Sequence, residues 1–189
     1  RGSGVVAKLG TDGQVFTSTG AGLSQGFEAA AGGGKLLQVQ SYSTDERHSS
    51  STASFVDLSS FLVTLTPAAT DSRIWINVSI GHYSSVGENA IFVVERAISG
   101  GSTELCPPLG EAEGSRLGGH GKAYATSVDG STTNFSILDI THNTTSEITY
   151  QVQWAVDQAS YINRQYTDTD DACNGARTVS GITAWEIGA

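Results

Sequence analysis

The polar residues best placed to do chemistry gather near the C-terminus. Asp168, Asp170 and Asp171 are followed by Asn174 and Gly175. Carboxylates so closely spaced on a turn can converge their oxygens on Ca²⁺, the one cofactor this sequence brings into question. An EF-hand loop places glycine five positions after its first aspartate, however, and Cys173 stands there; the alternative is a solvated acidic loop. Just upstream, Tyr161, Arg164 and Tyr166 can form a sugar platform, with aromatic faces against a pyranose ring. The alternative, which base rates for amphipathic aromatics favour, is that Tyr161 covers a sheet end while Tyr166 packs locally. His48, His82, His120 and His142 lack metal-ligand spacing and are expected on exposed loops.

Other candidate motifs do not complete a site. Gly32-Gly33-Gly34-Lys35 suggests a phosphate-binding loop, but that loop needs an earlier glycine where Ala29 stands and Ser or Thr where Leu36 stands. Glycoside cleavage needs a carboxylate pair at a set separation, and Glu88, Glu95, Glu111, Glu113 and the Asp168 group offer candidates without singling out two. No catalytic residue is assigned, and the chain is read as a non-enzyme. Cys106 and Cys173 can pair if the fold brings them together, or remain free thiols in a reducing cytosol. The Asn-x-Ser/Thr matches at Asn77, Asn134 and Asn143 matter only in a secretory pathway.

The elements that must position these residues are strands. In Glu147–Asp157, Ile148, Tyr150, Val152, Trp154 and Val156 fall on every second position, which puts one strand face in a core and the other in water. Ile74, Ile76, Val78 and Ile80 alternate in the same way. Such alternation favours antiparallel sheets, because parallel strands are usually apolar on both faces. Strands are expected at about 36–41, 54–58, 61–66, 73–83, 90–97, 122–128, 134–140, 148–157, 160–164 and 182–187, with Gly-, Ser- and Asn-rich turns between most of them. Ile91-Phe92-Val93-Val94 is apolar on both faces and predicts a central strand or contact with another subunit. Ten short strands of this kind indicate an antiparallel β-sandwich of jelly-roll type.

The composition agrees. Of 189 residues, 23 are glycine and only 15% are charged, which suits tight turns better than helix surfaces. A net charge of −9, with ten lysines and arginines scattered singly, argues against nucleic acid as the main partner. No apolar run approaches the roughly 18 residues of a membrane span. Two domains are expected: a stem or attachment segment over 1–34, ending in Ala29-Ala30-Ala31-Gly32-Gly33-Gly34, and a head over 35–189. Thr11-Asp12-Gly13 before Gln14-Val15-Phe16-Thr17 suggests small hairpins in the stem.

The run Thr11-Asp12-Gly13-Gln14-Val15-Phe16-Thr17-Ser18-Thr19-Gly20-Ala21-Gly22, then Gly32-Gly33-Gly34-Lys35-Leu36-Leu37-Gln38-Val39, resembles the stem-to-head junction of bacteriophage fibre proteins of the marine and cyanophage type. Thr66-Pro67, Ser72-Arg73-Ile74, Thr149-Tyr150-Gln151-Val152-Gln153 and the closing Ile182-Thr183-Ala184-Trp185-Glu186-Ile187 follow in a similar order. The resemblance implies a virion component, displayed on the outside of the particle and assembled as a homotrimer. It further implies attachment to other virion proteins through the N-terminal side and recognition of a host-surface glycan or protein. The loops 106–122 and 166–177 depart from the pattern, so the ligand they serve is expected to be particular to this chain. Two other readings remain open: a capsid decoration or head-fibre protein without a receptor role, and a monomeric carbohydrate-binding module.

Overall fold

The computed structural model describes residues 14–17, 26–29, 34–85, 87–125, 130–168, 170, 175 and 177–189. Its strands are β1 (Gln14–Thr17), β2 (Gly26–Ala29), β3 (Leu36–Thr44), β4 (His48–Ser50), β5 (Val56–Leu65), β6 (Arg73–Ser84) and β7 (Asn89–Ile98). There follow β8 (Thr103–Leu105), β9 (Gly121–Tyr124), β10 (Ser131–Asp139), β11 (Ile148–Val156), β12 (Ser160–Ile162) and β13 (Ser180–Ile187). β1 and β2 pair with each other as an antiparallel two-stranded sheet.

The other strands form two antiparallel sheets. β6 has β10 on one side and β13 then β12 on the other, with β3 beyond β13 and β4 beyond β12. In the second sheet β11 lies between β5 and β7, and the far side of β7 carries β8 and β9. The orders β3-β13-β6-β10 and β5-β11-β7-β8/β9, with the chain alternating between sheets, are those of a jelly roll. The protein is thus an all-β antiparallel sandwich.

Alternation places the core where expected. Ile74, Ile76, Val78 and Ile80 of β6 face Phe92 and Val94 of β7 and Tyr150, Val152 and Trp154 of β11 in one buried cluster. The rings of Phe92 and Trp154 lie almost parallel, 6.4 Å apart. The segments read separately as 54–58 and 61–66 form one strand, β5, with Ser60 at φ 62° in its middle. The Gln151 side chain donates to the carbonyls of Leu58 (2.7 Å) and Phe61 (3.2 Å), taking up acceptors that this interruption frees from the ladder. The doubly apolar Ile91–Val94 lies within β7, the second strand from one edge, and this chain's own 106–121 excursion packs beside it. A Cβ on Gly119 would come within 2.5 Å of Ile91, and His120 accepts from the Val94 amide at 2.9 Å.

Charges are built into this core. Arg96 donates to both oxygens of Asp139 at 2.7 Å, Tyr150 donates to the same carboxylate at 2.9 Å, and Arg96 also pairs with Glu104. Asp139 belongs to the first sheet and Arg96 and Tyr150 to the second, so the cluster ties the two layers together. Burial works to raise the Asp139 pKa, but the hydrogen bonds from Arg96, the Thr141 amide and Tyr150 outweigh it and hold the carboxyl below its ordinary range.

The expectation that the histidines sit on exposed loops is corrected at all four. His48 lies half-buried in β4, His120 is half-buried and bonded to the backbone of Val94 and Cys106, and the other two are buried. His142 is buried and hydrogen-bonds the Ser72 carbonyl at 2.8 Å. His82 continues the inward face of β6, is fully buried, and meets Phe92 edge-on at 6.0 Å. Desolvation, opposed by the weaker pull of the Asp157 charge, lowers the His82 pKa to about 4. An unfolded histidine takes up its proton near pH ~6.5, so between there and about 4 the unfolded chain binds more protons than the native one. The contribution of neutral His82 is complete above pH ~6.5 and is lost as the pH falls, by roughly 3 kcal/mol in all. His82→Leu should therefore narrow the difference in melting temperature between pH 7.5 and pH 4.5. Thermal denaturation at the two pH values checks this, and an unchanged difference contradicts it.

Candidate functional site

The residues singled out as a sugar platform do converge. β12 pairs with β6 and with the short strand β4, so Tyr161 lies opposite both Tyr83 and Ser49. The chain then turns at Asn163, whose φ is 59° and whose side chain is fully buried. Its amide nitrogen donates to the carbonyls of Thr44 (2.9 Å) and Glu46 (3.0 Å), and its oxygen accepts from Ser180 at 2.7 Å. This knot draws the 44–47 turn and the start of β13 against the 163–168 loop. It thereby sets Arg47 and His48 beside Tyr161 and Arg164.

A cleft of about 340 Å³ results, lined by Arg47, His48, Ser49, Tyr161 and Arg164. Arg164 lies over the Tyr161 ring, its guanidinium carbon 3.9 Å from the centroid, and Tyr166 meets the same ring edge-on at 5.7 Å. One face of Tyr161 is therefore covered by a cation, which modifies the expected bare aromatic platform. Asp168, at φ 46°, is held by three arginines: Arg177 at 3.0 Å, Arg164 at 3.2 Å and Arg47 at 3.8 Å. These contacts occupy the carboxylate with guanidinium and disfavour the Ca²⁺ reading at this residue, since a cation there would sit among three like charges. Asp170 is exposed, and Asp171 lies outside the described residues. Among the described residues no group of three or more His, Cys, Asp or Glu is placed to hold a metal ion.

Burial lowers the His48 pKa, with the Glu46 charge working the other way. Among the described residues, His48 Nε2 and Arg164 Nε are buried without a hydrogen-bond partner. The sequence reading missed Arg47, His48 and Ser49 because they reach the site through the β4–β12 pairing, more than 100 positions along the chain.

A larger cleft, of about 430 Å³, opens beside the 115–117 loop over Ile91, Ala155 and Val156. Its one carboxylate among the described residues, Asp157, is already bonded by the Asn89 amide at 2.8 Å and side chain at 3.0 Å. We prefer the smaller cleft because its polar groups converge. Cys106 is a free, buried thiol whose pKa is pushed up to about 12, first by desolvation and then by the Asp139 charge; Cys173 lies outside the described residues. One motif passed over in the sequence is Gly22-Leu23-Ser24-Gln25-Gly26, which has the spacing of a hydrolase nucleophile elbow. That elbow turns from a strand into a helix, whereas here the segment runs into β2 and the described residues contain no helix.

No protein-family model and no curated protein matches this sequence. Solved structures similar to it include the subviral particle of VP2 from infectious bursal disease virus, at 11% identity and a TM-score of 0.38, covering 93% of this chain and 47% of that one. The Gx strain of the same virus (11%, TM-score 0.39, 92% and 44%) and the Gt strain (10%, 0.39, 92% and 47%) are also similar. The chain spans about half the length of these proteins.

Proposed function

We propose that the chain is a virion structural protein, the head of a trimeric fibre that attaches the particle to a host surface. The observation that carries this reading is the polarity of the outer face of the β3-β13-β6-β10 sheet. Val39, Trp185, Trp75 and Leu138 stand directly opposite one another across all four strands. Trp75, Val39 and Leu138 are each more than two-fifths exposed. Leu36 and Ile187 extend the apolar area by one more row, in which the β6 position is the exposed Arg73. The rows beyond are Ser41, Thr183, Asn77 and Ser136, then Ser43, Gly181, Ser79 and Asn134. Contiguous exposed apolar patches mark association surfaces, while the polar rows can face water.

The apolar end is also where β3 begins, two residues after Gly34. Tyr83, next to the arginine-tyrosine cleft, lies eight residues along β6 from Trp75, about 26 Å away at roughly 3.3 Å per residue. An assembly surface beside the stem and a polar cleft at the far end are the arrangement a fibre head needs. The sequence resemblance supports the same reading. Three copies of one weak site on a stalk convert into firm attachment through effective concentration. Gold-labelled antibody against the chain should mark fibre tips on intact virions. Label spread evenly over the capsid shell would contradict the fibre placement.

A further inference from the structure

We propose that the cleft between β4 and the loop after β12 binds an anionic sugar, a pyranose carrying a carboxylate or a phosphate. The proposal rests on the attachment reading only for where such a sugar is met; the binding chemistry stands on the cleft itself. Two guanidiniums and, among the described residues, no carboxylate line it, in a chain of net charge −9. Glu46 places one negative charge near His48, and Asp168 is one charge shared among Arg47, Arg164 and Arg177. It holds the arginines in place while leaving the cluster cationic. Arg164 is further fixed by stacking on Tyr161, so its planar fork is pre-organised and little side-chain entropy is lost on binding.

A guanidinium fork matches an oxyanion in two hydrogen bonds, which a neutral sugar cannot reproduce. The His48 ring and the Arg164 guanidinium both line the cleft and bring further nitrogen groups to a ligand with several oxygens. The Ser49 hydroxyl and the amphipathic Tyr161 ring suit the hydroxyls and the carbon face of a pyranose. The volume, about 340 Å³, is at the small end of the range for small-molecule clefts, which points to one or two sugar units and not a long chain.

The test uses the whole chain and four probes: glucuronate, glucose 6-phosphate, glucose and inorganic phosphate, followed by ligand-detected NMR and calorimetry. At least one of the two anionic sugars should bind with a Kd on the order of 1 mM, at least tenfold tighter than both glucose and inorganic phosphate. Arg47→Gln, at a half-exposed position, and Arg164→Lys, which keeps the charge but loses the fork, should each weaken that binding tenfold or more without lowering the melting temperature by more than a few degrees. Equal binding of glucose would overturn the anionic requirement, and equal binding of inorganic phosphate would overturn the sugar. Absence of binding by both anionic sugars, or unchanged binding in both variants, overturns the site. Adsorption of labelled protein to cells is scored separately. Probe binding without adsorption would leave the cleft standing and remove its role in attachment.

Discussion

Replacing Arg96 by leucine should destabilise the protein by about 3–5 kcal/mol, because it strands a fully buried carboxylate, Asp139, between the two sheets. At roughly 2–4 °C per kcal/mol for a chain of this size, the melting temperature should fall by about 6–20 °C. Tyr150 and the Thr141 amide still donate to Asp139 in the variant, but neither carries charge. The pH dependence supplies a second readout. In the native protein the Asp139 pKa is held below its unfolded value, so its stabilisation is present above about pH 4 and is lost as the pH falls through the lower folded value. Without Arg96 the desolvation that now opposes this shift prevails and raises the pKa. The variant should therefore recover part of its deficit as the pH falls. Arg96→Leu combined with Asp139→Leu should regain much of the loss, since an apolar pair can replace a buried ion pair at little cost. A loss under about 1 kcal/mol by chemical denaturation would show that the cluster does not tie the layers.

Trp75→Ser together with Trp185→Ser should convert an oligomer to monomers while leaving the fold intact. The two rings lie 5.9 Å apart on the outer face, outside the sandwich core. Large aromatic anchors at interface centres contribute about 2 kcal/mol or more each, so the pair should weaken association by roughly a thousandfold. Their cross-strand contact within one chain is worth only about 0.2–1 kcal/mol, and the melting temperature of the separated monomer should reflect no more than that. An unchanged oligomer would move the interface elsewhere.

Much of this was legible as period-two alternation, including parts not at first followed to their end. The inward series Ile74, Ile76, Val78 and Ile80 continues to His82, which is why that histidine is buried. Phe135 and Ile137 lead to Asp139 by the same step, and Phe92 and Val94 lead to Arg96. Two opposite charges on inward positions of different strands are a signal for a buried pair. Tyr161, Arg164 and Tyr166 were close enough in sequence to be grouped by inspection. Arg47 and His48 were not, because the β4–β12 register that delivers them is a long-range pairing with no local imprint. The bulge at Ser60 was likewise hidden, since the Ser59-Ser60 break reads as a turn and only the Gln151 side chain shows how the strand continues. The apolar row needed both sheet order and register, for Val39, Trp75, Leu138 and Trp185 come from four separate strands.

The central claim is that the head assembles through its stem-side apolar end and presents its cleft at the other. Solution mass by light scattering, on residues 1–189 and again on the Trp75→Ser, Trp185→Ser variant, tests it most directly. A trimer for the native chain and a folded monomer for the variant is the predicted result. A native chain that is monomeric at high concentration would contradict the claim and leave the arginine-tyrosine cleft as the binding site of a single-chain module.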